Sequence, residues 1–345
     1  MRDAAFAIPG DIDQKTGGYI YEKALLLALR AQGRGVAHIE LPATYPLAPE
    51  SDVAETLARL NARPEDEPLI LDGLVYGGIP TEALAQVRAP LVAMIHHPVG
   101  LETGLPAETA RMLCRREAAN LALAASVVVP SPHTARVLVA DFGVPEDTIS
   151  IAPPGFAAPD PRRMPTDPPL VLSVGLLAAR KGHDVLVEAL AQVADLPWKA
   201  TIVGGTHDMA VADDLAARIA RHGLASRLAM AGRMEEADLS DLYCRATVFA
   251  LATRYEGYGM VFGEALLHGL PIVTCAAGAV PETVPPGTGL LVPPDDAPAF
   301  AAAMRRVLTD HALRAQMAAA ATAAGSALPR WSDTAAVMGR VLDAL

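Results

Sequence analysis

The sequence predicts an α/β protein built from two doubly wound parallel-sheet domains. Short apolar runs alternate with helical patterns along the chain, and many of these runs are apolar on consecutive positions. That pattern is typical of strands covered on both faces, and strand–helix–strand units join into parallel sheets. A proline-rich stretch at residues 153–169 interrupts the alternation. Because 345 residues exceed one ordinary core, we expect one domain on each side of that stretch.

The predicted strands form two series. The first covers residues 35–41, 68–71, 91–95, 126–129 and 149–152, and the second covers 170–174, 200–203, 228–231, 247–251 and 271–274. Helical periodicity predicts helices over residues 18–31, 107–124 and 210–221, and over 297–308, 312–327 and 332–345 in the tail. In the first of these helices, the apolar spacing predicts a buried face formed by Ile20, Ala24, Leu27 and Ala31.

The stretch 153–169 is predicted to be an interdomain linker. Proline at this density cannot continue a helix or a central strand. We therefore predict a first domain over residues 1–160, a second domain over residues 161–328, and a separate terminal segment over residues 329–345. Two such domains facing each other would form a cleft, and open α/β sheets bind ligands beyond the carboxyl ends of their strands.

Composition narrows the functional class. The formal net charge is -11, which argues against a nucleic-acid partner and against attachment to an anionic membrane through a basic surface. Cys114, Cys244 and Cys275 lie far apart and have no metal-ligand spacing, so we expect free thiols in a reducing compartment. No apolar stretch reaches membrane-spanning length and the N-terminus lacks a signal-like run, so we expect a cytoplasmic protein without an integral membrane segment.

The most informative segment is residues 254–264, which follows a predicted strand and opens a predicted helix over residues 260–268. Gly257 and Gly259 allow the backbone to turn sharply and to approach a ligand closely. The free amides at the helix start favour a phosphate or sugar hydroxyls. Glu256 enters the loop, and Glu264 lies about one turn into the helix, so both carboxylates are expected to face one ligand.

The surrounding motifs resemble a known family. Glu256-x7-Glu264 is followed by Gly-Leu-Pro-Ile-Val-Thr at 269–274, Gly-Ala-Val-Pro-Glu at 278–282 and Gly-Leu-Leu-Val-Pro-Pro-Asp-Asp at 289–296. With Val-Gly-Leu-Leu-Ala-Ala-Arg-Lys-Gly at 174–182, this pattern resembles the donor-binding half of retaining family 4 glycosyltransferases. In the first half, residues 16–19, His96 and residues 131–136 match more loosely. The resemblance implies the GT-B fold, in which two Rossmann-like domains face a central cleft.

The resemblance also implies roles in the second domain, which would bind a nucleoside diphosphate sugar. Glu264 is expected to bind the ribose hydroxyls, and Glu256 the donor sugar. Lys181 is expected to neutralise the leaving diphosphate. Leu176 stands where family members usually carry an arginine, so Arg180 is a candidate for the second phosphate cation.

The remaining expected ligand contacts come from backbone and from the first domain. The amides of the loop residues Gly257, Tyr258, Gly259 and Met260 would hold sugar hydroxyls and the diphosphate. Gly17 and Gly18 are expected to approach the donor, and with His96 they would form an acceptor surface on the first domain. Tyr19, Asp72 and Glu102 are further acceptor-side candidates. The final helix, with Trp331 as its anchor, is expected to pack back on the first domain.

This residue set predicts catalysis without a metal or another cofactor. Negative charge grows on the leaving diphosphate during glycosyl transfer, and fixed cations and helix-terminal amides stabilise it. Neither glutamate is assigned as a covalent nucleophile. Asp11-Ile-Asp13 matches the Asp-x-Asp of metal-dependent glycosyltransferases, but so short a match at the N-terminus is attributed to chance.

Two alternatives stay open from the sequence alone. One is another GT-B enzyme, such as a sugar-nucleotide epimerase. The other is a non-catalytic sugar-nucleotide-binding protein, which Leu176 favours. The nucleotide base, the sugar, the small-molecule or glycan acceptor and the oligomeric state are not identified by the sequence.

Overall fold

A computed structural model describes residues 1–160 and 162–345 of the chain. The chain divides into two compact units, Met1–Gly155 with Pro329–Leu345, and Phe156–Leu328. Each unit contains one six-stranded sheet, and every strand pair in both sheets is parallel. The predicted α/β class with two parallel sheets is therefore confirmed.

The strands of the first unit are β1 (Ala4–Pro9), β2 (Val36–Leu41), β3 (Leu69–Asp72), β4 (Leu91–Met94), β5 (Ser126–Val129) and β6 (Ile149–Ile151). Those of the second are β7 (Leu170–Val174), β8 (Lys199–Val203), β9 (Leu228–Gly232), β10 (Val248–Leu251), β11 (Ile272–Cys275) and β12 (Gly289–Val292). The helices up to β6 are α1 (Gly17–Ala31), α2 (Glu50–Asn61), α3 (Gly73–Gly78), α4 (Thr81–Leu84), α5 (Ala107–Leu121) and α6 (Pro132–Phe142). Those of the second unit are α7 (His183–Gln192), α8 (Met209–Arg221), α9 (Glu236–Arg245), α10 (Met260–Leu267), α11 (Val280–Thr283), α12 (Ala297–Thr309) and α13 (His311–Ser326), and the chain ends with α14 (Trp331–Ala344).

The strand order in the two sheets places the carboxyl ends of neighbouring strands side by side. The order is β2-β1-β3-β4-β5-β6 in the first unit and β12-β11-β10-β7-β8-β9 in the second. In the second sheet β10 pairs with both β7 and β11. The loops that follow these three strands therefore leave the same edge of one sheet, where ligands of such sheets bind.

Two strands were not predicted. β1 was missed because three of its first four residues are alanine, which has low strand propensity. All six of its residues are nevertheless buried, since β1 pairs with β2 on one side and β3 on the other. The residues of β12 belong to the motif at 289–296 and were not predicted as a strand, but they pair in register with β11. Both strands are stabilised by pairing with neighbouring strands, and this pairing is not visible in a short stretch of sequence.

The predicted buried face of α1 is wrong. Ile20 is 43% exposed and Leu27 is 54% exposed, while Tyr21, Leu25 and Leu29 on the adjacent face are buried. The two faces differ by one residue in helical phase, so the apolar spacing did not distinguish them.

The terminal helix α14 packs against α1 within the first unit. The rings of Tyr21 and Trp331 meet edge to face at 5.3 Å between centroids, and the Tyr21 hydroxyl donates to the carbonyl of Ala152. The backbone of Gly155 lies so close to that of Trp331 that a side-chain carbon would not fit between them. The start of α14 is therefore fixed against β6 and the segment that follows it.

The second sheet is covered on both faces. Val171, Ala200 and Ile202 belong to a core with α7, α8 and α12, whereas Leu170 and Leu172 belong to another core with α10. Consecutive strand residues are thus buried on opposite faces, as consecutive apolar positions predict. None of the helices in the described part of the chain combines the length and the apolar character that a bilayer crossing demands.

Candidate active site

Glu256 lies in the loop between β10 and α10, and its backbone is fixed by the loop after β11. The amide of Ala279 donates to the carbonyl oxygen of Glu256 at 2.8 Å. Gly278 has a φ of +57°, and a side-chain carbon there would overlap that same oxygen. The close approach of the two loops therefore requires glycine at this position.

The carboxylate of Glu256 is buried among cations and a hydroxyl. Oε1 accepts hydrogen bonds from Lys181 Nζ at 2.7 Å and from Thr253 Oγ1 at 3.0 Å. Oε2 lies 3.6 Å from the guanidinium of Arg180. The residue is only 5% exposed. The predicted residues Lys181, Arg180 and Glu256 thus form one cluster.

The charge state of Glu256 follows from this environment. Burial would raise the pKa of the carboxyl, but the charges of Lys181 and Arg180, with hydrogen bonds from Lys181 and Thr253, outweigh it and lower the pKa below its usual value. Glu256 is therefore ionised at neutral pH. The cluster holds two cations and one anion, so it carries a net positive charge.

The loop after β7 brings Lys181 to this position. Residues Ala179–Lys181 form a short 3-10 helix, which ends at Gly182 with a φ of +63°. A side-chain carbon at Gly182 would overlap the backbone carbonyl of Ala252 after β10. A side-chain carbon at Gly175 would lie 3.2 Å from Cδ of Lys181, so the lysine stem crosses directly over this glycine. Both glycines allow the β7 loop to pack closely.

Arg254 holds three loops together, a role that was not predicted from the sequence. Its guanidinium contacts both carboxylate oxygens of Asp184, at 3.0 and 2.8 Å, and donates to Asp295 at 2.7 Å. Its amide donates to the carbonyl of Arg180 at 2.8 Å. Arg254 thereby holds the first turn of α7 and the loop before α12 against the loop of Glu256. Its place directly before the Tyr-Glu-Gly motif was the available sequence signal.

His183 packs against the end of β7, where the loop that carries Lys181 begins. The ring is 1% exposed, with Nε2 3.3 Å from the carbonyl of Gly175 and Nδ1 3.4 Å from the hydroxyl of Ser173. Burial lowers the pKa of His183 to about 4, so the ring is neutral at neutral pH. His183 fixes the end of β7 without adding charge to the cluster.

Glu264 occupies the second turn of α10. Its Oε2 accepts a hydrogen bond of 2.8 Å from the hydroxyl of the buried Tyr243, whose ring stacks on that of His268. Burial raises the pKa of Glu264, and the hydrogen bond from Tyr243 offsets only part of that rise. The carboxylate is thus oriented by a tyrosine whose role was not predicted from the sequence.

The loop predicted to supply amides leads directly into α10. Gly259 is the residue before the helix and has a φ of +86°, and a side-chain carbon there would lie 2.7 Å from the ring of Phe262. Met260 is the first helical residue. Tyr258 lies against the ring of Phe156, with 6.3 Å between centroids. Gly257, between Glu256 and Tyr258, belongs to the same turn.

The predicted residues Gly17, Gly18 and His96 belong to the first unit. Gly17 and Gly18 open α1, and His96 follows β4. A side-chain carbon on Gly18 would lie 3.5 Å from Cδ2 of His96, an ordinary contact distance, so the start of α1 lies beside the ring. The ring also meets Tyr21 edge to face at 4.9 Å between centroids.

A cavity of about 400 Å³ lies elsewhere in the second unit. Leu170, Lys199 and Leu228, at the amino ends of their strands, contribute to its lining. Ligands of parallel sheets bind at the opposite ends of the strands. We therefore assign the candidate site to the Glu256 cluster and not to this cavity.

Comparison with known proteins identifies the segment that carries this cluster. Residues 168–310 match the family described as "Glycosyl transferases group 1". A D-inositol 3-phosphate glycosyltransferase of Xylanimonas cellulosilytica is 30% identical over 231 residues, which are 62% of this chain and 55% of that protein. A mannosylfructose-phosphate synthase of Agrobacterium fabrum is 29% identical over 175 residues, 45% of this chain and 38% of that protein. The chain spans about half the length of the curated relatives it matches.

Solved structures resemble the chain over its whole length. A sucrose-phosphate synthase from Thermosynechococcus elongatus has a TM-score of 0.82 and 24% identity, covering 100% of this chain and 99% of that one. Anabaena Alr3699/HepE in complex with UDP and glucose has a TM-score of 0.78 and 18% identity, covering 100% of both chains. These likenesses confirm the predicted GT-B fold.

Proposed function

We propose that the protein is a glycosyltransferase using a nucleoside diphosphate sugar, because residues 168–310 match the glycosyl transferases group 1 family. The observation that carries the proposal is the convergence of Lys181 and Arg180 on the buried carboxylate of Glu256. The relatives named above are glycosyltransferases and synthases of sugar phosphates, which agrees with the predicted enzyme class.

The donor is assigned to the second unit. Alr3699/HepE, a structural neighbour, was solved in complex with UDP-glucose. In this chain, the two cations that contact Glu256, four residues before α10, provide a positive region that suits a diphosphate. Glu264, oriented by Tyr243, suits a ribose or sugar hydroxyl because a carboxylate accepts hydrogen bonds.

Glu256 has a part in this arrangement before any donor arrives. It neutralises one of the two cations, which would otherwise repel each other in a buried site. A bound diphosphate supplies the same negative charge to Lys181 and Arg180. We propose that Lys181 then shifts from Glu256 to the diphosphate, and that the released carboxylate accepts a hydrogen bond from a sugar hydroxyl.

The proposed reaction retains configuration at the anomeric carbon and needs neither a metal nor a covalent enzyme intermediate. The bond from the anomeric carbon to the phosphate oxygen breaks, and a bond to the acceptor oxygen forms. The acceptor proton leaves with the diphosphate. Lys181 and Arg180 stabilise the charge that grows on the diphosphate, the task that a metal ion performs in other transferases.

The acceptor is proposed to be a small molecule or a glycan with a free hydroxyl. Among the proteins similar to this chain, one is named for D-inositol 3-phosphate and another, a mannosyltransferase of Rhizobium meliloti, for lipopolysaccharide core biosynthesis, so the names span both classes. Gly17, Gly18 and His96 of the first unit are the proposed acceptor-side residues.

The test combines binding with turnover. A thermal-shift screen against UDP-, GDP- and ADP-glucose should raise the unfolding temperature with one of them. With that donor, Lys181→Ala and Glu264→Ala should each lower affinity or turnover by about tenfold or more. Lys199→Ala, an exposed lysine at the start of β8, is the control and should change neither. Unchanged donor affinity and rate in both site variants would contradict the assignment. Product formed from the sugar nucleotide alone would instead identify an epimerase.

A further inference from the structure

Three ionisable side chains meet inside the first unit. Glu22 lies on α1, Asp72 ends β3 and His96 follows β4, which is the neighbour of β3 in the sheet. One carboxylate oxygen of Glu22, one of Asp72 and one ring nitrogen of His96 all lie within 4.8 Å of one another. Glu22 is 1% exposed and Asp72 is 6% exposed. The cluster is therefore a buried pair of carboxyls in contact with an imidazole.

The hydrogen bonding of this cluster is incomplete. Asp72 caps α3, since its Oδ1 accepts from the amide of Leu74 at 2.8 Å. Oε1 of Glu22 and Nε2 of His96 face each other at 3.5 Å. Both atoms are buried, and neither makes a hydrogen bond of ordinary geometry in the described part of the chain. These two atoms are positioned to interact with one another.

No cation compensates the two carboxyls among the described residues. The ionisable groups that act on them are Tyr19 and Tyr21 on α1 and Glu117 on α5, together with His96. Burial raises the pKa of Glu22 to about 7, and burial together with Glu22 holds the pKa of Asp72 well above its usual value. Burial lowers the pKa of His96, so its ring is neutral at neutral pH. Two buried carboxylates so close together cannot both be ionised at little cost.

We propose that Glu22 and Asp72 share one proton, and that this pair holds the His96 ring with Nε2–H directed at Glu22. Glu22 is then a positioning residue for His96. Nε2 is buried while the side chain as a whole is 23% exposed, so the exposed part of the ring lies at its other atoms. With the proton on Nε2, the other nitrogen Nδ1 carries a lone pair.

This arrangement gives His96 a defined chemical preference. A ring with its proton on Nε2 accepts a hydrogen bond at Nδ1, so it recognises a ligand that donates one, such as a sugar or polyol hydroxyl. The inference rests on the proposed function, because it concerns the acceptor side of that reaction. Nδ1 of His96 is the proposed acceptor for a ligand hydroxyl, and Glu22 and Asp72 keep this nitrogen unprotonated by holding the ring proton on Nε2.

The shared proton is tested without any activity measurement. The carboxyl of Glu117 is also protonated at neutral pH, so all infrared spectra are recorded in a Glu117→Gln background. In that background a protonated-carboxyl band should be present that both Glu22→Gln and Asp72→Asn remove, because either change leaves the other carboxyl free to ionise. Glu108→Gln, an exposed carboxyl of α5, is the control and should leave the band unchanged. Loss of the band in only one of the two buried variants would assign the proton to one residue and overturn sharing. Binding of Mn²⁺ or Zn²⁺ by the wild type that Glu22→Gln abolishes would also overturn it.

The orientation of His96 is tested by NMR and kinetics together. Spectra of protein labelled with ¹⁵N in histidine, assigned with His96→Gln, should show a single neutral Nε2–H ring in the wild type and in Glu22→Gln. Glu22→Leu removes the acceptor for Nε2–H, so the ring signals should shift and kcat/KM for the acceptor should fall by about tenfold. Glu22→Gln should restore most of that loss, and the KM for the donor should not move in either variant.

The outcomes separate the two proposals. A wild-type protein without transferase activity would refute the proposed function, whereas the infrared and NMR results would still decide the inference. Unchanged His96 signals in a folded Glu22→Leu variant would refute the positioning role even if the enzyme is active.

Discussion

Replacing Gly278 by alanine should damage the candidate site through the backbone of Glu256. Gly278 has a φ of +57°, where a side chain costs about 1–2 kcal/mol. The added carbon would also overlap the carbonyl oxygen of Glu256 and lie 3.0 Å from its amide nitrogen. Both atoms are backbone, so the loop must move by about 1 Å to restore ordinary contact. Glu256 holds Lys181 at 2.7 Å, and a shift of that size would break this contact.

Gly287 provides a matched control. Its φ is +85°, but the nearest atom to an added carbon is Cβ of Ala320 at 3.8 Å, so Gly287→Ala carries the conformational cost without the overlap. Chemical denaturation should show a loss of about 1–2 kcal/mol for Gly287→Ala and a larger loss for Gly278→Ala. Calorimetry with the nucleotide sugar found in the thermal-shift screen, and the rate of transfer, should fall by about 10- to 100-fold in Gly278→Ala alone. Equal donor affinity and rate in the two variants would refute the reasoning.

Three further predictions concern stability. Burial raises the pKa of Glu117 to about 8, so the folded protein binds more protons than the unfolded chain and stability falls as pH rises from about 5 to 8. Glu117→Gln should reduce that fall by at most about 5 kcal/mol in denaturation series across this range, and parallel curves for the two proteins would contradict it. Arg254→Lys cannot keep the bidentate contact with Asp184 and should lower both stability, by about 1 kcal/mol, and donor affinity; unchanged donor titrations would argue against its loop-tying role. Gly155→Ala places a carbon against the backbone of Trp331 and should destabilise the protein by about 1–3 kcal/mol, which an unchanged denaturation midpoint would disprove.

Much of the secondary structure of the second unit could be predicted from local sequence. The predicted strand at residues 170–174 coincides with β7, and the predicted helix start at Met260 coincides with that of α10. Apolar runs and glycine positions are local signals that survive folding, because strands buried on both faces must be continuously apolar. The resemblance of the motifs also predicted that Lys181 and Glu256 serve one donor site, and the structure brings the two side chains to 2.7 Å.

Local sequence was not sufficient in the first unit. β1 is rich in alanine and reads weakly as a strand, although the pairing of β1 with two neighbours makes it central. Ile20 and Leu27 suggested the wrong face of α1. Two apolar faces one residue apart have the same helical period and differ only in phase, so the spacing fits both. Which face is buried depends on what packs against it, and that includes α14 from the far end of the chain.

The sequence by itself determined the fold class, the match of residues 168–310 to a glycosyltransferase family and the loop that carries Glu256 and Glu264. The fold class follows from hydrophobic periodicity, whereas the family match follows from the resemblance of short motifs to those of known proteins. Only the tertiary structure brought Arg254 onto Asp184 and placed Glu22 beside Asp72 and His96. Asp72 and His96 were sequence candidates, but Glu22 was not, because it lies on a helix 50 residues before Asp72. Burial and proximity decide the protonation of such groups, and both arise only when distant segments pack together.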